Sequence, residues 1–343
     1  MVVLLGHEPA SVCPKQMTYG PCGGVRPSGH CEVGEFDCPF IVVPLPEWPA
    51  PGTDPLAPAP NSRAAALQAR LAHGGVVVAD FPARALDADS LRDCGAVLRE
   101  LDAVLIGDAP SHRVQFPPAY RAALLTAAGA NAWVGLNARD RNRVALEGEL
   151  AALEHLGVAA VHCVTGDHPA RSHRPDAAPV FDLDSTELVA LAAGRAMIVS
   201  VGESPAAPPS QRRPLRMLSK ERAGADVGFV NHCGGVEAVT AFIRHCRDLG
   251  SAAPMVACVP LVCDPGSAAL LASFGEPATD RVLESVLSAA DPRREGIRVA
   301  VELGLRMLDT GLVSGINLSG GPAEGGELAY AEALAEAGDR LAR

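Results

Sequence analysis

Aromatic side chains are scarce in this chain, 4% of its residues, and no Lys/Arg run is interleaved with them. A nucleic-acid surface of stacking rings and basic groups is therefore not expected, and a formal net charge of −11 points the same way. No apolar run approaches the roughly 18 residues of a membrane span. Residues 1–6 lack the basic region and cleavage site of a secretory signal. No G-x-G-x-x-G follows an apolar run and there is no P-loop, so the common phosphate cradles are missing. Charged residues are only 20% against 48% hydrophobic, which excludes wholesale disorder. The expectation is a soluble, cytoplasmic protein with neither nucleic acid nor membrane as partner.

What is present begins with cysteine. Of ten cysteines, Cys13, Cys22, Cys31 and Cys38 fall in the first 38 residues. A reducing cytosol argues against disulfides, and clustered thiols in such a chain point to metal. The spacing C-x8-C-x8-C-x6-C lacks the C-x2-C knuckles of common zinc ribbons. Four thiolates nonetheless suit tetrahedral Zn²⁺ or an iron–sulfur cluster, with Zn²⁺ preferred. Forty-odd residues with little apolar content need such a staple. The alternative is a floppy arm of free thiols. Cysteines in apolar runs, such as Cys163 and Cys258, read as small buried hydrophobes.

Residues 44–60 hold seven prolines and read as a semi-rigid linker. Three units follow: a cysteine-rich segment 1–43, the linker, and 61–343. In the last, eight apolar runs (76–81, 103–106, 132–136, 159–164, 196–201, 227–231, 255–259 and 313–318) alternate with helical stretches. Leu146, Leu150 and Leu153 show the helical spacing. Strands apolar on both faces and separated by helices imply a parallel sheet. Eight units predict an α/β fold of the closed (β/α)₈ TIM-barrel class, with a doubly wound open sheet as the alternative.

In a barrel the chemistry sits at the C-terminal strand ends. Those ends supply Asp80, Asp108, the charged run 137–143, Thr165-Gly166-Asp167-His168, Glu203, Asn231-His232, and Asn317 with Ser319. The bland readings are a self-paired Arg/Asp network for 137–143 and an ordinary helix-capping turn at Asp167.

The runs RDRNRVALEGEL (139–150), TGDHP (165–169) and VFDLDS (180–185), with Lys220, Ala223-Gly224-Ala225 and the strand ending at Asn231, resemble the methylenetetrahydrofolate reductase family. The branch with T-G-D in place of R-G-D is the most similar. CPKQMTYGPCGG with GHCEV resembles the cysteine-rich domain named after that reductase's C terminus. The resemblance implies reduction of 5,10-methylenetetrahydrofolate to 5-methyltetrahydrofolate with NAD(P)H, on FAD held across the strand ends. It implies Asn137, Thr165, Gly166, Asp167 and Lys220 as cofactor contacts, Asn231 and Asn317 as folate contacts, and Asp167 as the charge beside an iminium intermediate. It also suggests a homo-oligomer, and another one-carbon protein as partner of the N-terminal segment.

Three departures stand out. The family's first-strand Glu aligns with Ala79, and Asp80 beside it is expected on the opposite face unless a bulge re-aims it. Thr165 replaces an arginine. The fifth-strand loop VGESPAAPP has no histidine. Some members of the family dispense with flavin, so the alternatives are a flavin-free reductase, a pterin-dependent methyl-transfer or demethylation component, and a partner subunit that lost its acid.

Overall fold

The structure is a computed structural model that describes residues 12–49, 58–107, 114–172, 174–231, 234–273 and 280–343. Asp108, His232 and the first 11 residues of the cysteine-rich segment lie outside the described residues. Eight strands, β1 (Val76–Asp80), β2 (Ala103–Ile106), β3 (Ala132–Asn137), β4 (Ala160–Val164), β5 (Ile198–Glu203), β6 (Val227–Val230), β7 (Met255–Pro260) and β8 (Gly315–Ser319), close in chain order into a barrel. Every pair is parallel, and β1 pairs with β8 to seal it. The chain is a (β/α)₈ barrel, and that seal rules out the open sheet.

The outer helices are α2 (Ala88–Val97), α3 (Pro118–Ala127), α4 (Arg143–His155), α5 (Ser185–Ala192), α6 (Arg213–Arg222), α7 (Val236–Asp248), α8 (Pro265–Ser273), α9 (Asp280–Leu287), α10 (Pro292–Leu308) and α11 (Glu327–Leu341). A further helix, α1 (Ser62–His73), precedes the first strand. Its Ala64, Leu67 and Leu71 pack on Val76, Ala103, Ile198 and Val227, which begin their strands, so it plugs the floor of the barrel. Asn61 fixes it there. Its side-chain oxygen accepts from the N–H groups of Arg63 and Ala64, and its amide donates to Val158 and Ala196 carbonyls. Among the described residues no helix is long and apolar enough to cross a membrane.

Register decides which side chains reach the interior. Val76, Val78, Trp133, Ile198, Phe229, Val256 and Cys258 form the inner cluster. Val77, Ala79, Val104, Ile106 and Val161 belong to the layer under the helices. Ala79 therefore faces outward, and Asp80, two residues beyond inward Val78, turns into the mouth with no bulge. This corrects the expectation that Asp80 points away from the cleft.

The cysteine-rich segment has a small core of its own: Met17 and Phe40 are fully buried and pack with Val25 and Cys38.

Candidate active site at the barrel mouth

The mouth carries a chain of polar contacts that runs from β1 to the loop after β5. Asn317 Nδ2 on β8 donates to Asp80 Oδ1 at 3.0 Å, and the Gly320 N–H donates to the other carboxylate oxygen at 3.2 Å. The same amide lies 3.8 Å from Cys258 Sγ, and that thiol faces Asn231 Oδ1 at 3.8 Å. Asn231 Nδ2 then donates to Ser204 Oγ at 3.2 Å. Burial pushes the Asp80 carboxyl up to about 6, against the two hydrogen bonds that favour its charged form. Asn317 Oδ1 is buried without a hydrogen-bond partner among the described residues, which leaves an acceptor open to a bound molecule.

Three expected residues thus meet in one place: Asp80, Asn231 and Asn317. Ser204 and Cys258 complete the chain and were not singled out as site residues. Cys258 sits in an apolar strand whose two buried faces carry no alternation signal, so its inward direction is invisible in sequence.

The opposite rim is differently employed. Thr165 is buried, and its Oγ1 accepts from the Ser185 N–H at 3.0 Å, at the start of α5. Gly166 has φ of +89°, and a Cβ there would stand 3.1 Å from Arg139 Cβ and 3.3 Å from Asn137 Cβ. Glycine is required at that turn both by conformation and by space. Buried Asn137 packs beneath it. In the run 137–143, Arg139 pairs with Asp140 at 2.5 Å and Asn142 caps α4 through the Ala145 N–H, as the self-paired reading expects.

The cysteine-rich segment lies on this same rim. Asp184 caps α5 with Glu187 and also accepts from the Thr18 and Tyr19 N–H groups at 3.1 and 2.8 Å. Glu32 accepts from the His168 N–H at 3.2 Å. Arg213 donates to the Pro21 and Cys22 carbonyls at 3.1 and 3.0 Å, and Arg216 to Tyr19 O at 2.9 Å. Asp167 is exposed and lies near Lys15, whose charge it supports together with Cys22 and Glu32.

Lys15 and Lys220 are the two lysines of the chain, and both are buried. Lys15 pairs with Glu32 at 2.5 Å. Lys220 donates to Gly202 O at 2.6 Å and to Glu203 Oε2 at 2.8 Å. Arg213 and Arg216 also close on Glu203, at 3.0 and 3.5 Å. Burial alone would raise the Glu203 carboxyl, but Lys220, Arg213 and Arg216 together hold it down at about 2. The phosphate contact implied for Lys220 is corrected by this geometry: its ammonium is consumed inside a buried cluster that anchors the N-terminal segment. Of the residues expected around FAD, Lys220 is thus spent on Glu203, Thr165 accepts from the start of α5, and Asp167 is exposed near Lys15.

Cys13, Cys22, Cys31 and Cys38 line one small cavity with Lys15, Glu32 and Phe40. None of the four is paired in a disulfide, and burial pushes Cys13 and Cys38 up, the latter to about 11. Number and softness suit one thiolate-bound ion. Among the described residues, however, no group of three or more His, Cys, Asp or Glu side chains stands in a metal-holding arrangement.

Comparison with known proteins follows the same division. No curated protein matches the chain. Among solved structures, an uncharacterized protein from Clostridium thermocellum that binds two copies of 5-methyl-5,6,7,8-tetrahydrofolic acid is 12% identical, covers 78% of this chain and 97% of its own, and has a TM-score of 0.59. This likeness shows the shared barrel fold. A 2,3-dimethylmalate lyase of the PEP mutase/isocitrate lyase superfamily is 14% identical over 76% of this chain and 80% of that one, with a TM-score of 0.45. Oxaloacetate acetylhydrolase is 13% identical over 59% and 73%, with a TM-score of 0.44. Residues 4–44 match the family model described as methylene-tetrahydrofolate reductase C terminal, and the described part of that stretch, 12–44, is the segment that rests on the barrel rim.

Proposed function

We propose that the barrel mouth binds a reduced folate and that the chain is a methylenetetrahydrofolate reductase-like oxidoreductase of one-carbon metabolism. It reduces 5,10-methylenetetrahydrofolate to 5-methyltetrahydrofolate with a hydride from NAD(P)H. The observation that carries this reading is Asp80, an acid seated inside the mouth with its carboxyl raised to about 6 and its oxygens fixed by Asn317 and Gly320. Two findings support it: the domain match over residues 4–44, and the methyltetrahydrofolate bound by the protein of like fold.

The chemistry asks for a proton and a hydride. Protonation of one ring nitrogen opens the five-membered ring and leaves an iminium cation, and hydride addition to its methylene carbon gives the methyl group. Asp80 supplies the proton, near the pKa at which an acid serves best around neutral pH. Asn317 and Asn231 present amides that orient the pterin. With Lys220 spent on Glu203 rather than free for a flavin phosphate, the hydride of this reading passes directly from the nicotinamide, which leaves as its oxidised form. Cys13, Cys22, Cys31 and Cys38 would be the residues to hold a metal ion or cluster, which would act as a structural crosslink under the rim.

One observation favours a second reading. Asp167, in the loop after β4, bears on the Lys15 charge of the cysteine-rich segment, so the negative charge expected next to an iminium is partly balanced there. A barrel that binds methyltetrahydrofolate and presents it to another one-carbon protein, without reducing it, meets that observation. Anaerobic assay of the full chain separates the two. Oxidation of NAD(P)H that requires 5,10-methylenetetrahydrofolate supports the reductase. Binding of 5-methyltetrahydrofolate with no nicotinamide oxidation supports the second.

A further inference from the structure

His162 is the one imidazole on the inner face of β4, and the reductase reading leaves it without a task. Its ring packs edge-on against Phe229, centroids 4.8 Å apart. Its Nδ1 lies 2.9 Å from Ser200 Oγ. That hydroxyl also donates to Val161 O at 3.0 Å and accepts from Trp133 Nε1 at 2.8 Å. A hydroxyl has one proton and two lone pairs. With the proton spent on Val161 O, the Ser200 oxygen accepts from both neighbours, so the hydrogen of the neutral imidazole sits on Nδ1. Nε2 is then a bare lone pair. Burial, helped by the Lys220 charge, pulls the ring's pKa down to about 3, so it stays an acceptor across the working range.

Nε2 faces a kept space. A Cβ built on Gly202 would meet His162 Nε2 at 3.4 Å and both Asn231 amide atoms at 3.6 Å. Gly202 is not among the positive-φ glycines, so its backbone does not demand glycine. The missing side chain leaves room at the one point where the histidine and the Asn231 amide converge. A tetrahydropterin carries N–H donors at N3, N8 and its 2-amino group, the complement of such an acceptor.

We propose that His162 Nε2, with Asn231 over Gly202, is a fixed hydrogen-bond acceptor for an N–H of the bound pterin and thereby a specificity-determining residue of the site. This rests on the folate reading of the mouth.

Calorimetric titration of the full chain with 5-methyltetrahydrofolate tests it, using wild type, His162→Phe and Gly202→Ala. His162→Phe should weaken binding by about tenfold, the scale of one lost hydrogen bond. Gly202→Ala makes only ordinary contacts, so it should fold normally and weaken binding by a similar or larger factor by filling the space. In ¹⁵N spectra of the wild type, Nε2 should show the shift of an unprotonated ring nitrogen and should move when the folate is added. Tight binding by wild type with both variants within twofold of it overturns the proposal and leaves the folate reading standing. A protonated Nε2 in the free protein also overturns it. If wild type binds no folate, the folate reading falls and the proposal falls with it.

Discussion

Asn317 donates to Asp80 across the seam where β8 meets β1, at 3.0 Å, and so ties the last strand's amide to the first strand's acid. The bond fixes the carboxyl's direction into the mouth. It also links Asp80 to Cys258, Asn231 and Ser204 in one connected rim.

Asp80→Asn should lower folate-dependent NAD(P)H oxidation by about 10²–10⁴, the usual contribution of a general acid, with 5-methyltetrahydrofolate binding within a few fold of wild type. Asp167→Asn should cost much less. Ala79→Glu should fail as a rescue. It places a carboxylate in the apolar layer under the helices and should destabilise the fold by about 3 kcal/mol or more. Steady-state kinetics with a urea melt of each variant check all three.

Asp80 should also leave a signature in stability against pH. Its folded carboxyl is raised from the ordinary 3.8 to about 6, so the folded state binds the proton more tightly than the unfolded chain. Stability is therefore lost as pH rises through that window, and the penalty is complete above pH 6. Asp80→Asn should be stabilised relative to wild type at pH 7 and lose that advantage below the ordinary value. Paired denaturation curves from pH 3.5 to 7.5 would show it.

The buried cluster gives the opposite sign. Glu203 is held at about 2 against an ordinary 4.5, so its contribution is present above pH 4.5 and lost as pH falls toward 2. Glu203→Gln leaves Lys220, Arg213 and Arg216 without their buried carboxylate and should cost about 3–5 kcal/mol at neutral pH. Since Arg213 also holds the Pro21 and Cys22 carbonyls, the N-terminal segment should become sensitive to protease in that variant.

If the four N-terminal cysteines share one ion, purified protein should carry about one equivalent held as thiolates. Cys22→Ser should release it and expose the first 43 residues to cleavage. Metal-free wild type with an equally resistant N-terminus contradicts this, and the small core around Met17 and Phe40 would then suffice.

The barrel was legible because eight strands buried on both faces leave unbroken apolar runs between amphipathic helices. That same texture hid the site. Val76 to Ala79 are apolar without alternation, so nothing in them tells which way Asp80 points, and only the pairing of Val78 with Asn317 does. His162 was hidden likewise. Helix α1 escaped notice because it precedes the repeating units and its buried face is only Ala64, Leu67 and Leu71. The engagement of Lys220 depends on Glu203, which proved to end β5 rather than follow it, and on Arg213, whose carbonyl partners Pro21 and Cys22 lie 192 and 191 residues away. No local spacing encodes such contacts.

The most direct measurement is an anaerobic assay of the purified full chain with 5,10-methylenetetrahydrofolate and NAD(P)H, without added flavin, in wild type and Asp80→Asn. The account predicts nicotinamide oxidation matched by formation of 5-methyltetrahydrofolate in wild type, and its near loss in Asp80→Asn while folate still binds. Wild-type protein that binds 5-methyltetrahydrofolate but oxidises no nicotinamide, or an Asp80→Asn variant as active as wild type, would contradict it.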